Sequence, residues 1–306
     1  MELLSSIFTL STAQTALELG CVYALVALAL FLSYSILNIA DLSTDGCFTL
    51  GCAVCCQVTL MGHPFLGLLA AMAAGVLSGY ITAFLQTRLG VESILAGIIV
   101  NTGLYTINLM AMGFSSTLSV FKCDTIFSLA KSALSGVLGG ALAGWSKLLV
   151  AAVIALTVAL LLTWFLKTRL GLSIRATGDS PDMIRASSVN PAFTITVGLC
   201  ISGSLTALSG AVLAQYQKSC DINLGTGMVT IALASLIIGE TLVGKGGLLR
   251  RALGAILGSC VYRLFVAIAL RLDVPAECMK LVSALIVAVA IASPALKKWA
   301  ACQHQK

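Results

Sequence analysis

Residues 227–248 read GMVTIALASLIIGETLVGKGGL, an apolar run, uncharged through Gly239, that closes on a glycine-rich turn carrying Glu240 and Lys245. Inside it, Gly239 through Lys245 fit the phosphate-loop pattern G-x-x-x-x-G-K, which would make this a soluble nucleotide-binding domain. The next residue argues otherwise, because the pattern continues with a Ser or Thr hydroxyl for Mg²⁺ and Gly246 has none. Context argues more strongly still. A phosphate loop joins a buried strand to a helix of an α/β domain, whereas residues 227–239 read as the end of a membrane-crossing helix.

Composition supports that reading along the whole chain. Of 306 residues, 59% are hydrophobic and 10% are charged, and the mean hydropathy is +1.04. A soluble chain carries about 25% charged residues. So apolar a chain belongs in lipid as a bundle of helices, since only helices or closed barrels satisfy their backbone polar groups there. The expected class is therefore an all-α polytopic membrane bundle, a single domain over residues 1–306. The opening stretch MELLSSIFTLSTAQTALELG has no basic segment before its apolar residues, so the first helix is expected to direct its own insertion.

Eleven cysteines do not imply a disulfide scaffold here. Cys21, Cys47, Cys52, Cys55, Cys56, Cys200 and Cys260 lie in apolar runs, where thiols act as small polarizable fillers. The C-x-x-C in CAVCC, residues 52–56, has no histidine or second pair beside it, so a metal or redox site is disfavoured. His63, before Pro64, and His304 read as loop residues.

Apolar stretches suited to crossing a bilayer fall at about 16–37, 46–61, 64–85, 91–113, 148–166, 191–216, 226–243, 248–270 and 278–296, about nine spans, with eight or ten as neighbouring counts. Residues 114–147 are rich in Gly and Ser and carry Lys131, which suggests an extramembrane or re-entrant excursion, with a tenth helix as the alternative. With an outer N-terminus, inner segments collect eleven of the eighteen basic residues, including Arg88, Arg169, Arg175, Arg185, Lys245, Arg250 and Arg251. The positive-inside rule favours that orientation and a cytosolic C-terminus. The net charge of +6 then needs no nucleic acid to explain it.

The longest inner connection, KTRLGLSIRATGDSPDMIRASSVNPAF, spans residues 167–193. Ser180 is a good N-cap, Pro181 suits the first helical position and Pro191 prevents continuation, which predicts about two turns of helix through Asp182, Met183, Ile184, Arg185 and Ala186. Such a helix would offer Met183 and Ile184 beside Asp179, Asp182 and Arg185, a surface suited to a groove on another protein. A solvated turn resting on lipid is the plainer alternative.

GLSIRATGDSPDMIRASSVNPAF, followed by ISGSLTALSGAVLAQYQ and GTGMVTIALASLIIGE, resembles the permease subunit of binding-protein-dependent ABC importers, in the branch of branched-chain amino acid and ribose permeases. The likeness extends to NIADLSTDGCFTLGCAV, residues 38–54, and within the branch it is greatest to tryptophan- and tyrosine-type permeases. The resemblance implies a permease dimer, a cytosolic ABC ATPase dimer and an extracytoplasmic substrate-binding protein. It also implies that residues 178–190 form a coupling loop, with Gly178, Asp179, Ser180, Pro181, Asp182, Met183, Ile184, Arg185 and Ala186 seated on the ATPase. On this reading the chain binds no cofactor, and ATP and Mg²⁺ belong to the ATPase. The cysteine-rich GCFTLGCAVCC departs from the Ala, Gly and Val expected there.

Ionisable residues within the bilayer cost about 2.5–3.5 kcal/mol each on insertion scales, so those present tend to face a cavity or a partner. NIADLSTDGCFTLG places Asp41, Ser43, Thr44 and Asp45 at a break between apolar runs, where a broken helix would turn polar groups toward a substrate path. An ordinary turn with Asp45 capping the next helix fits equally well. Glu92, Asn101 and Asn108 could form one polar stripe, although Glu92 also suits the inner interface. Arg263 is the lone basic residue well inside a span, and pairing with an acid or snorkelling to the surface is expected. DINLGTGMVTIA, residues 221–232, loosely echoes DLSTDGCFTLG, as two inverted repeats would. Two other classes remain: an ion-coupled secondary transporter using Asp41, Asp45 and Glu92, and a channel or structural membrane protein.

Overall fold

The computed structural model describes residues 10–271 apart from 122, 139–143, 187–188 and 245, together with 281, 284, 285 and 288. Its helices are α1 (Leu10–Leu30, continued by a π-helical turn over Phe31–Ile36), α2 (Thr44–Leu60), α3 (Pro64–Thr87), α4 (Ser93–Ala111), α5 (Ile126–Leu138), α6 (Ser146–Phe165), α7 (Arg169–Asp179), α8 (Pro181–Ala186), α9 (Pro191–Gln217), α10 (Met228–Val243) and α11 (Leu248–Arg271). A two-stranded antiparallel ribbon, β1 (Thr117–Ser119) with β2 (Ser219–Asp221), pairs Leu118 with Cys220. Three residues per strand carry no periodicity that a sequence reading can detect.

Six helices among the described residues are long and apolar enough to cross a membrane: α1 with its π turn, α3, α4, α6, α9 and α11. The expected spans 46–61 and 226–243 become α2 and α10, which are apolar but shorter, at 17 and 16 residues. Most of the expected span 278–296 lies outside the described residues, as does His304. The excursion at 114–147 contains β1 and α5, whose 13 residues extend only about 20 Å. The inner connection holds more helix than expected, because Thr168 caps α7 by accepting the Gly171 N–H at 3.3 Å.

α1 and α9 form the centre of the bundle, each 83% buried over its apolar window, against 28–33% for α3, α4, α6 and α11. Ser202 and Ser209 of α9 donate to the carbonyls of Ala29 and Val22 at 3.0 and 2.8 Å, so α1 and α9 run antiparallel. Each serine satisfies its hydroxyl on a neighbouring helix, as polar side chains do where no water is available. Small residues bring backbones together. A Cβ on Gly79 would stand 2.9 Å from the Leu199 carbonyl carbon, and Gly75 faces Gly203 in the same α3–α9 seam. α11 runs back along α10, with Gly258 against Ser235 and Gly254 against Gly239.

The described basic residues Arg88, Arg169, Arg175, Arg185, Arg250 and Arg251 gather where α3 and α10 end and where α7, α9 and α11 begin. This end is called the basic end below.

Candidate functional site

The short helices α2 and α10 both begin midway along α9. Cys47 Sγ donates to the Gly203 carbonyl at 3.3 Å, and Gly51 packs on Ala207, so α2 runs parallel to α9 and starts beside its middle. Gly203 lies 12 residues beyond Pro191, about 18 Å along the helix. α10 starts at the same level and runs the opposite way, because its far end meets Ser35 of the π turn through Glu240 at 3.3 Å. Two half-length helices thus meet N-terminus to N-terminus inside the bundle.

Asp45 joins them. Its Oδ2 accepts the Gly227 N–H and its Oδ1 the Val229 N–H, both at 2.9 Å, so a side chain from the first turn of α2 caps the first turn of α10. These donors have no partner within their own helix, and a carboxylate also favours the positive end of the helix dipole. Gly227 holds φ +86°, a left-handed backbone that turns its N–H toward Asp45. Thr49 reinforces the join by accepting the Gly225 N–H at 3.1 Å. Gly225 packs directly on the Asp45 carbonyl, where a side chain would collide.

The loops leading into the two half-helices share a local design. Asp41 Oδ1 accepts from the Ser43 N–H at 2.9 Å and its hydroxyl at 2.6 Å, and Asp221 Oδ1 accepts from the Asn223 N–H at 2.8 Å. Both are Asx turns two residues wide. Asp41 is buried. Its network continues from Thr44 Oγ1, which donates to the Asp41 carbonyl at 3.0 Å, and through Ser43 to Thr82 at 3.3 Å. Thr82 was not anticipated, since a lone threonine in an apolar helix gives no signal until its neighbour is known.

Asn101 and Asn108 both reach the α2 start. Asn108 Nδ2 donates to the Gly46 carbonyl at 3.0 Å, and Asn101 Oδ1 lies 2.6 Å from where a Cβ on Gly46 would stand. Asn108 is buried and its Oδ1 has no hydrogen-bond partner. Glu92 does not join this group. It is exposed at the N-cap position of α4, near the basic end, so the stripe expected from Glu92 to Asn108 reduces to the two asparagines. Around the junction Asn223, Thr226, Gly227 and Thr230 are exposed, a polar patch on an otherwise apolar surface.

At the basic end, α8 places Met183 outward at 73% exposure, while Ile184 is 8% exposed. The sequence expectation that both project from the surface is corrected for Ile184, which turns inward on a helix of only six residues. Asp182 and Arg185 form an exposed pair at 3.7 Å. Asp179 is exposed, and Ser180, Gly178 and Ala186 complete the connection, with Gly178 packed on Ile36 at the end of the π turn. α7 is thereby packed against the π-helical end of α1.

Two basic residues are tied into the bundle. Arg251 pairs with Glu240 at 2.7 Å, donates to Ser35 and lies 5.2 Å from the Phe31 ring centroid, so it links α10, α11 and the π turn. Arg263 stacks 3.5 Å over the Tyr23 ring, which stacks in turn on Phe48, so an aromatic face takes the place of the expected acid. Cys52, Cys55 and Cys56 are buried packing residues of α2. Lys245 lies outside the described residues.

Half-helices that meet end to end within a bundle of membrane-spanning helices are a recurrent feature of multi-pass transport proteins, in which irregular backbone is tolerated because protein surrounds it. The chain belongs to the branched-chain amino acid transport system permease component family, whose profile matches residues 13–291. It is a multi-pass protein of the bacterial cell membrane. It is 30% identical over 273 residues to the tyrosine transport system permease protein of Clostridioides difficile, covering 89% of this chain and 88% of that one. It is also 30% identical over 227 residues to the D-allose transport system permease protein AlsC of Escherichia coli, covering 71% and 64% respectively. No solved structure matches the chain.

Proposed function

We propose that this permease is the membrane subunit of an ATP-driven ABC importer, working as a homodimer in the inner membrane with a cytosolic ATPase dimer and an extracytoplasmic substrate-binding protein. It is a transport subunit and not an enzyme. ATP and Mg²⁺ bind the ATPase, no cofactor binds this chain, and nucleic acid has no part. The solute is small and polar, most simply an aromatic or branched-chain amino acid, in line with the tyrosine relative. The D-allose relative supports a sugar or nucleoside as the second reading. The third reading is an ion-coupled transporter; of its three candidate carboxylates, Asp41 and Asp45 are engaged by backbone donors and Glu92 is exposed at the basic end.

The observation that carries the reading is the meeting of α2 and α10 at Asp45. Two inverted repeats, each a long central helix, an Asx turn and a half-helix, account for it: α1, Asp41 and α2 in one, α9, Asp221 and α10 in the other. With nine spans the basic end is cytosolic. The substrate path passes the polar patch at the junction, near Asp41, Ser43, Thr44, Asp45, Asn101 and Asn108. Residues 178–190 form the coupling loop within one transmembrane domain, and α8 presents Met183 to the ATPase. Because Gly178 packs on Ile36, a shift of α8 reaches the inner end of α1 and from there the Glu240–Arg251 tie to α10.

The test is uptake of labelled L-tyrosine and D-allose into vesicles holding the complete complex, in wild type and in Thr230→Leu. The substitution changes an exposed patch residue that no backbone network uses. Reduced uptake with intact assembly supports a path at the junction, and unchanged uptake places the path elsewhere.

A further inference from the structure

We infer that a groove at the basic end, between the last turns of α3 and the first turns of α9, binds the headgroup of an anionic phospholipid from the cytosolic leaflet. It consists of two adjoining cavities of about 520 and 370 Å³ that share Thr87, Asn190 and Ala192. Each lies in the range of about 300–1,000 Å³ typical of ligand pockets. The first is lined by Arg185 and Gln86, the second by Arg88.

Both ends are cationic and weakly compensated. Among the described residues no carboxylate lies within 4.0 Å of Arg88. Arg185 has Asp182 at 3.7 Å, with the two side chains 70% and 93% exposed, a pairing that contributes little in water. Gln86 adds a donor: its Nε2 is shielded from solvent and has no hydrogen-bond partner. Rotation of the Gln86 amide into the groove would let a phosphate oxygen satisfy it, and guanidinium groups bind phosphate in preference to other side chains because their donors match its geometry.

Beyond the charged rim the groove becomes apolar. Tyr80 and Phe84 of α3, with ring centroids 6.4 Å apart, line the second cavity with Phe193 of α9. All three are about half exposed. Tyr80 lies seven residues inside the end of α3, about 10 Å along a membrane-crossing helix. A soluble protein does not reach that depth, whereas the glycerol and first methylenes of a lipid do. Basic pockets between membrane helices on the cytosolic side are a recurrent setting for such headgroups.

The inference rests on the proposed orientation but not on transport, so lipid binding is measured directly. The intact complex in mild detergent is exposed to phosphatidylcholine vesicles with or without phosphatidylglycerol, and retained lipid is counted by native mass spectrometry. Wild type is expected to retain phosphatidylglycerol preferentially. Arg88→Gln/Arg185→Gln should weaken that preference about tenfold, equivalent to about 1.4 kcal/mol. Arg169→Gln/Arg175→Gln, which removes equal charge from exposed positions at the same end, should retain it. Equal loss in both double variants would mean a diffuse charge effect and overturn the site, as would no preference in wild type. Retained preference with loss of the ATPase in the Arg88/Arg185 variant would make the groove a protein interface, also overturning it.

Discussion

The Asp45 carboxylate accepts the Val229 N–H at 2.9 Å across 184 residues of sequence, so one half-helix supplies the cap of the other. Neither helix start is complete without its counterpart. Hydrogen bonds to charged groups contribute about 1.5–3 kcal/mol each. Asp45→Ala removes two of them and leaves the Val229 N–H, which is part-buried, without its partner. A loss of about 2 kcal/mol or more is expected for unfolding in detergent, with Asp45→Asn milder because an amide oxygen still accepts. Equal stability of Asp45→Ala and wild type would show that the join contributes nothing.

The long helices were legible in the sequence, and the join was not. Apolar runs at 64–85, 191–216 and 248–270 match α3, α9 and α11 closely, because lipid and core both demand the same residues. α1 extends ahead of its apolar run, from Leu10, where Gln14 donates to Glu18 at 3.0 Å and to the Gly144 carbonyl, and Glu18 also accepts from Tyr216, far along the chain. Asp45 read equally well as a path residue or a local cap. What it caps lies on another helix, and no local pattern encodes that. Ile184 was misread for a related reason: six residues carry too little periodicity to show which side faces inward.

The Glu240–Arg251 pair is part-buried, with both side chains a little over a quarter exposed. A double-mutant cycle with Glu240→Gln and Arg251→Gln should give a coupling of about 1 kcal/mol, since contacting residues in one network are not additive. Because this tie joins α10 and α11 to the π turn, each single variant should also reduce transport more than assembly. Additive effects on stability would argue that the two side chains act independently.

Packing along α3 gives a paired expectation. Gly79→Ala forces a methyl group against the α9 backbone at Leu199 and should destabilise by about 1–3 kcal/mol, as overpacking does. Gly103→Ala meets nothing within 4 Å on α4 and should be neutral or stabilising by about 0.5–1 kcal/mol. Thermal unfolding of both variants in detergent compares them. Equal effects would place the α3–α9 seam further apart than described.

The two neighbours on α8 should behave differently. Ile184→Asp places a charge in a buried position and should lower the yield of folded permease. Met183→Asp should leave folding intact and act only on the proposed ATPase contact, because Met183 is exposed. Size-exclusion profiles of the two variants separate the effects, and a folding defect of equal size in Met183→Asp would contradict the assignment of its side chain to the outer face.

The central claim, that this permease is driven by an ATPase seated on α8, is tested by purifying the tagged chain from its native membranes and measuring Mg²⁺-dependent ATP hydrolysis in the recovered complex. Wild type should bring down an ATPase subunit with activity, and Met183→Asp should lose the subunit, or keep its hydrolysis while solute uptake in vesicles stops. Wild-type chain recovered without any ATPase, or a Met183→Asp complex that hydrolyses ATP and drives uptake as wild type does, would contradict the account.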